Sequence, residues 1–287
     1  MQRMCVLGQV SRAGFYRARQ RPSARDGELP LRDALQRVAL EFPSCGWPRM
    51  TVELQRCGWA VNHKRVYRLM REDNLLCLRR RKFVSTTDLA HALPVYTNLA
   101  RAMTPRGRDQ LWVADLTYIR LQREFVYLAV LLDAFSRRVV GWALGRRLED
   151  ELTLRALGMA LERRQPAPGL VHHSDRDVQY ASRQYTELLQ AHGVVISMSR
   201  KGNPYDNAIA ESFMKTLKYE EVYREEYRDV EEAYASIERF LEQVYNAKRL
   251  HSALGFRSPV GFEDLLTAPQ TKRSRLPNVA ALAGEPK

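Results

Sequence analysis

The sequence predicts an α/β domain, a mixed five-stranded sheet with flanking helices, preceded by an all-α helix-turn-helix region. Three observations carry that prediction. Apolar residues recur at helical spacing from Leu31 to Met70, strand and helix patterns follow in the order βββαβαβα from Leu111, and the charge is divided unevenly between the two parts. Residues 1–108 hold 21 Lys and Arg against 8 Asp and Glu, whereas residues 109–287 hold 25 of each, so the whole +13 excess belongs to the N-terminal third. A polyanion such as DNA is the partner that such a local excess suits, through contacts to its phosphates.

Leu31, Leu35, Val38, Ala39 and Phe42 form the stripe of a first amphipathic helix, ended by Pro43-Ser44-Cys45-Gly46. Pro48 opens a second helix that runs to about Cys57 and stops at Gly58. Asn62 caps a third, His63 to about Asn74, with Val66, Leu69 and Met70 inward and Lys64, Arg65, Arg68 and Arg71 outward. The basic helix leads into Arg79-Arg80-Arg81-Lys82, and the continuous positive strip suits a phosphate backbone better than it suits a randomly charged surface. Upstream, residues 10–17 read as a further short capped helix. Residues 1–84 are therefore expected as the DNA-binding region and residues 85–107 as a linker.

Three strands are expected next, Leu111–Leu121, Phe125–Asp133 and Arg138–Leu144, rich in β-branched and aromatic residues and joined by short turns into an antiparallel meander. A helix over Leu152–Glu162, a strand over Gly169–His172, a helix over Arg183–His192 and a strand over Val194–Met198 complete the alternation. A glycine- and proline-containing loop, Arg200–Tyr205, precedes a helix from about Asn207 to Glu220. One more long helix follows, marked by Val230, Ala233, Tyr234, Ile237, Leu241, Val244 and Tyr245. Residues 108–266 are expected as the catalytic core and residues 267–287 as a flexible tail.

Composition excludes several classes. Apolar runs such as Phe125 to Ala134 are too short to cross a bilayer, and the N-terminus has no secretory pattern, so a cytoplasmic protein with no membrane partner is expected. The four cysteines, Cys5, Cys45, Cys57 and Cys77, have neither C-x-x-C spacing nor a His at zinc-ligand distance, which points to reduced thiols.

Three acids stand out. Asp115 lies inside the first strand, where burying a lone charge is expensive. Asp175 follows the fourth strand, at a sheet end where ligands gather. Glu211 shares one helix face with Lys215 and Lys218, opposite Ile209, Phe213 and Leu217. Each acid alone has an ordinary reading, such as a solvent-facing strand residue or a helical ion pair of Glu211 with Lys215. Together they form a constellation that can clamp hard cations with oxygen ligands. Two such ions can serve phosphoryl transfer without a nucleophilic side chain.

The stretch Leu111 to Pro259 resembles the catalytic core of the retroviral-integrase superfamily, and specifically the downstream-frame transposases of the insertion sequence three family. The matching segments are WVADLTYI (112–119), LDAFSR (132–137), VHHSDRDVQYAS (171–182), SMSRKGNPYDNA (197–208), ESF (211–213) and YNAKRLH (245–251). Between Asp175 and Glu211 lie 35 residues, the interval characteristic of this catalytic class. GWAVNHKRVYRLMREDNLL (58–76) resembles the helix-turn-helix of the same proteins.

The resemblance implies a ribonuclease-H-like core and catalysis by Asp115, Asp175 and Glu211 with two divalent ions, Mg2+ or Mn2+. It implies cleavage of double-stranded DNA at the element ends and joining of the freed 3′-hydroxyl to target DNA. It also implies a homo-oligomer, an upstream-frame partner in many relatives, and association with the nucleoid. Arg200, Lys201, Lys215, Lys218 and Arg249 join the basic residues above as expected DNA contacts; His172 and His173 are expected as structural histidines or helpers beside the metals. Two other readings stay open on the sequence: a DNA-binding remnant or repressor without catalysis, and a ribonuclease-H-like nuclease that cuts without joining.

The sequence departs from the family at one place. The usual Asp-Arg-Gly is here Asp175-Arg176-Asp177. A left-handed glycine at 177 would make Asp strained, and its carboxylate adds negative charge beside the metals. Activity below that of an Asp177→Gly form is expected.

Overall fold

The computed structural model describes Ser11 and residues 28–76, 96–200 and 207–267. The chain divides into two compact units, Met1–Arg80 and Arg81–Lys287. Apart from Ser11 and Thr267, the latter the last residue of a helix, the expected helix at 10–17 and tail at 267–287 lie outside the described residues.

Among the described residues of the first unit lie the helices α1 (Leu29–Glu41), α2 (Trp47–Arg56) and α3 (His63–Glu72). Pro30 and Pro48 sit in the first turns of α1 and α2, where the missing N–H removes no helical hydrogen bond. Gly58 leaves α2 at φ 89°, and the Asn62 side chain caps α3 by accepting the Arg65 N–H at 2.9 Å. Leu35, Met50, Leu54, Val66, Leu69 and Met70 meet in one apolar core. Helix α3 ends at Glu72, two residues earlier than expected, and Asn74 takes up a left-handed conformation at φ 55°.

The second unit is built on β1 (Leu111–Arg120), β2 (Phe125–Asp133), β3 (Val139–Gly145), β4 (Val171–Ser174) and β5 (Val195–Met198). They lie in the order β3-β2-β1-β4-β5. The first three pair antiparallel, while β4 pairs parallel with both β1 and β5. This is the mixed five-stranded sheet expected from the sequence, and its connectivity is that of a ribonuclease-H-like core.

Alternation along the strands makes two apolar faces. Val113, Ile119, Leu128 and Val130 face α7 (Ala208–Leu217) and α8 (Val230–Arg239), through Phe213, Leu217, Ala233 and Ile237. Trp112, Ala114, Ala129 and Leu131 face α4 (Asp150–Arg164) and α6 (Arg183–Ala191), through Ala156, Leu157, Ala160, Tyr185 and Leu189. Between β4 and α6 lies the one-turn helix α5 (Val178–Ala181). At Gly141 on β3, an added Cβ would stand 2.2 Å from the Ala156 carbonyl oxygen, so glycine is what lets α4 lie against the sheet.

Several details depart from the expectation. Strand β4 begins two residues late, because Gly169 turns at φ 97° and donates its N–H to the Gly193 carbonyl at 2.9 Å. Asp175 consequently follows the last strand residue directly. Helices α7 and α8 both continue as π-helix, over Lys218–Val222 and Phe240–Asn246. Residues 96–103, expected within the linker, lie on the second unit. The Leu99 and Ala100 N–H groups bond Ser197 Oγ at 2.9 and 3.3 Å, and Tyr96 and Met103 pack on the core.

A last helix, α9 (Pro259–Thr267), is not evident from periodicity. It is held by Glu263, which accepts from Arg164 at 2.8 and 3.0 Å and from Arg138 at 2.7 Å. Arg164 also donates to Asp109 at 2.8 Å. No helix of the described residues is long and apolar enough to cross a membrane.

Candidate active site and nucleic-acid-binding residues

Strand β4 pairs only with Leu111–Val113 of β1 and then stops, so Asp115 stands just beyond the end of the paired segment. Asp175 leaves that same end of β4. Glu211 lies in the first turn of α7, whose buried residues Ala210, Phe213 and Leu217 pack on the β1 face. Three acids far apart in sequence are thus carried to one region by a central strand, its parallel neighbour and a covering helix.

Their electrostatics follow from that placement. The Asp115 carboxylate accepts the Leu116 N–H at 2.9 Å. Burial pushes Asp115 up to about 7; that hydrogen bond opposes the shift, Asp177 and Glu211 reinforce it, and Lys218 opposes it. Asp175 is also raised well above the usual carboxylate range, by burial first and then by the charges of Asp177 and Asp115. Collected negative charge in a desolvated place favours either protons or cations.

Whether these residues fit divalent ions can be judged from the donor set and from unpaired atoms. All the carboxylates are hard oxygen ligands of the kind Mg2+ and Mn2+ take. Beside them the Tyr180 hydroxyl is buried without a hydrogen-bond partner, and Asp175, Asp115 and Asp177 all act on it electrostatically. Among the described residues, however, no three His, Cys, Asp or Glu side chains already form a group that could hold a metal. The chemistry fits, with the ligands assembled in one region but not drawn together.

Asp177 is not strained. Its φ and ψ are −64° and 143°, ordinary extended backbone at the N-cap of α5, and its N–H bonds Asp175 Oδ1 at 3.2 Å. The strain anticipated for a left-handed position is absent, because the chain does not turn left-handed there. What remains is its carboxylate, which acts on both Asp115 and Asp175.

Both histidines after β4's start are structural in their contacts. His173 bonds Ser197 Oγ at 2.8 Å and Ser199 Oγ at 3.0 Å, and His172 Nε2 meets the Tyr185 hydroxyl at 2.9 Å. Burial first, and then His173, press His172 down to about 3, so its ring is neutral. Asp133, in the segment LDAFSR, is fully buried and closes the β2–β3 turn by accepting the Ser136 N–H at 2.7 Å and the Asp109 N–H at 2.6 Å.

Asn207 has a role that its sequence position conceals. It occupies the N-cap position of α7 yet makes no side-chain cap bond. Its Nδ2 instead donates to the Ala114 carbonyl at 3.0 Å, one residue before Asp115. That bond ties the helix carrying Glu211 to the strand carrying Asp115, while Asn207 Oδ1 is buried without a partner. Asn207 and Tyr180 both fall inside the segments that carry the family resemblance, but residue type and spacing alone do not show that one tethers and the other faces carboxylates.

The expected DNA contacts have varied surroundings. Lys64 and Arg71 are exposed on α3. Arg68 is engaged within the unit, with Glu28 at 2.6 Å and Glu72 at 3.0 Å, and Arg65 lies 3.4 Å from Glu28. The Arg68 hydrogen bond lowers Glu28 below its ordinary value. Lys215 is exposed, while Lys218 is partly buried with its Nζ 4.9 Å over the Tyr118 ring. Arg249 is gripped by Glu220 through two bonds of 2.8 Å, an arrangement that fixes the chain after α8 to the π-helical end of α7. Arg200 is exposed at the end of the described segment. Arg79, Arg80, Arg81, Lys82 and Lys201 lie outside the described residues. Among the described residues, Cys45 and Cys57 are not joined in a disulfide.

Comparison with known proteins agrees with these two units. The family described as integrase core domain matches residues 105–204, with a second integrase core match over 192–259, and an HTH-like domain matches 27–83. The chain is 40% identical over 266 residues to the uncharacterized 31 kDa protein of insertion element IS600 from Shigella sonnei, covering 91% of this chain and 97% of that one. It is 36% identical over 267 residues to transposase InsF for insertion sequence IS3A of Escherichia coli K12, covering 91% and 93%. Among solved structures, the HTLV-2 integrase catalytic core domain in complex with magnesium aligns at 14% identity and a TM-score of 0.42, covering 54% of this chain and 95% of that one. With 36–40% identity to such relatives over 91% of its length, a helix-turn-helix unit and an integrase core, the chain belongs to the insertion sequence three (IS3) family of transposases.

Proposed function

We propose that this chain cleaves DNA at the ends of its insertion sequence and joins the freed 3′-hydroxyl to target DNA, with Asp115, Asp175 and Glu211 as the catalytic acids. The observation that carries this reading is the gathering of Asp115, Asp175 and Glu211 from a strand, a strand end and a helix into one electrostatically coupled, largely desolvated region. The curated relative from Escherichia coli is itself named a transposase.

Asp115, Asp175 and Glu211 would hold two Mg2+ or Mn2+ ions, which supply charge neutralisation and activation of the attacking water or 3′-hydroxyl. The chain's own work is placement. β1 and β4 present two carboxylates from a rigid sheet, and Asn207 fixes the helix bearing the third. Lys218 brings positive charge beside Asp115, where a DNA phosphate must approach. The basic helix α3 would bind element ends, with Lys64 and Arg71 on phosphates and Arg79–Lys82 extending the strip. Synapsis of two ends requires an oligomer, and an upstream-frame protein is the further partner the family suggests. A DNA-processing protein of this kind works in the cytoplasm on the nucleoid.

One observation favours a weaker enzyme: Asp177 places an extra carboxylate against Asp175 and Asp115. The deciding assay incubates the purified full chain with labelled element ends, target DNA and Mg2+, beside an Asp175→Asn control. Joined product that the control lacks is the expected result. Hydrolysis without joining would identify a nuclease, and binding alone an inactive remnant.

A further inference from the structure

Helix α5 is a single turn, Val178-Gln179-Tyr180-Ala181, that follows the acid-bearing segment Asp175-Arg176-Asp177 directly. The Tyr180 N–H donates to the Asp177 carbonyl at 3.0 Å, which ties the tyrosine closely to the segment that begins with Asp175. Tyr180 is 1% exposed, and its ring packs against two other buried aromatics, Tyr185 edge to face at 5.5 Å and 74° and His172 at 6.2 Å. A ring held in this way keeps its hydroxyl where it is.

Among the described residues that hydroxyl has no hydrogen-bond partner. A buried hydroxyl left unpaired is costly, and each one in a folded protein asks for a reason. Polar groups around it are committed elsewhere: the Tyr185 hydroxyl meets His172 Nε2 at 2.9 Å, and His173 spans Ser197 and Ser199. His172 Nδ1 is a second unpaired atom of the cluster, but no bond joins it to Tyr180. What does act on the hydroxyl is carboxylate charge. Burial and Tyr185 push the phenol up first, and then Asp175 does so ahead of Asp115 and Asp177. A phenol that keeps its proton is a standing donor for a carboxylate.

We propose that Tyr180 is a positioning residue for Asp175, its hydroxyl held ready to donate to that carboxylate when Asp175 turns to a divalent cation with the other acids. The inference rests on the reading of Asp175 as a ligand and adds the residue that aims it. Among the described residues the acids do not form a ready ligand group, so ligation requires a carboxylate to turn, and a turning carboxylate needs a donor to fix its direction. A carboxylate offers about four acceptor sites. Asp175 Oδ1 accepts the Asp177 N–H at 3.2 Å, which leaves sites for both a cation and the phenol. Groups that hydrogen-bond a metal ligand commonly change metal affinity by about 10- to 100-fold.

The test compares the full chain with Tyr180→Phe, using Mn2+ alone as the probe, with binding read by electron paramagnetic resonance and stability by calorimetry. Loss of the hydroxyl should weaken Mn2+ binding by about tenfold. Without metal, the same variant should melt higher by about 2 °C or more, because an unpaired polar atom leaves the core while the ring stays. The opposite signs are what a purely structural tyrosine would not produce, since lost packing lowers both quantities. Unchanged Mn2+ affinity overturns the proposal. So does a lower melting temperature without metal, which would show the hydroxyl already paired, to His172 Nδ1 or to a buried water. Asp175→Asn keeps the two readings apart. If it abolishes Mn2+ binding while Tyr180→Phe leaves binding intact, the role of Tyr180 alone fails; if it binds Mn2+ as the parent does, the assignment of Asp175 as a ligand fails and takes the role of Tyr180 with it.

Discussion

Replacing Asp115 by Asn should make the metal-free protein more stable at pH 8 and abolish its activity. The folded-state carboxyl is raised from 3.8 to about 7, by burial first, with Asp177 and Glu211 adding to it. Well below pH 3.8 the acid is protonated in both folded and unfolded chains and the shift costs nothing. As pH rises through that interval the unfolded chain ionises first, and folded-state stability falls until about pH 7 and is level above it. A displacement of roughly 3 units corresponds to about 4 kcal/mol. This is an upper bound, since Asp115 keeps some contact with solvent.

Asn carries no charge at any of these pH values, so the gap between variant and parent should be small near pH 4.5 and greatest at pH 8. For a unit of this size each kcal/mol corresponds to about 2 to 4 °C of melting temperature. Calorimetry at both pH values, with and without Mg2+, reads the effect. Mg2+ should raise the melting temperature of the parent and leave the variant unmoved, since only the folded parent binds the ion with its full ligand set. A variant no more stable at pH 8, or a gap equal at the two pH values, would refute the claim that Asp115 is held at an energetic cost for the sake of ligation.

Three further expectations follow from single residues. Asp177→Gly relieves no backbone strain, because φ is −64°, but removes a charge that raises Asp175 and Asp115; strand transfer near neutral pH should increase and its acid limb move to lower pH, and an unmoved limb with equal or lower yield would sink the idea. Asn207→Ala leaves the buried Ala114 carbonyl without its 3.0 Å donor, at a cost of about 1 to 3 kcal/mol, and frees the start of α7. Turnover should fall more than DNA affinity, and a variant impaired only in binding would show that the tether does not position Glu211. Gly141→Ala drives a methyl against the Ala156 carbonyl, at 2.2 Å before relaxation, and should cost about 1 to 3 kcal/mol in urea unfolding; a neutral effect would mean that α4 can shift freely.

The strands of the meander and the long amphipathic helices were legible because each repeats its pattern over enough residues to be read. Elements of low periodic content were not: α5 has one turn, and α9 takes its place from the buried contact of Glu263 with Arg138 and Arg164. The boundary of β4 also escaped the pattern, as it depends on the left-handed turn at Gly169. Among the basic residues, Arg68 and Arg249 look like free positive charges in the chain and are in fact engaged by Glu28, Glu72 and Glu220. Charge is a property of a residue, whereas its availability depends on what folds against it.

By itself the sequence determined the identity of the three acids, their interval, the segregation of positive charge and the alternation of strands and helices, since these are properties of residue order. Only the tertiary structure decided what those acids experience. Parallel pairing that stops at Val113 leaves Asp115 at the edge of a paired segment, and Asn207 brings in the helix of Glu211. Asp177 adds its charge from an unstrained turn. Proton affinity and helix placement depend on distances across the sheet, and those distances exist only once residues far apart in the chain have packed together.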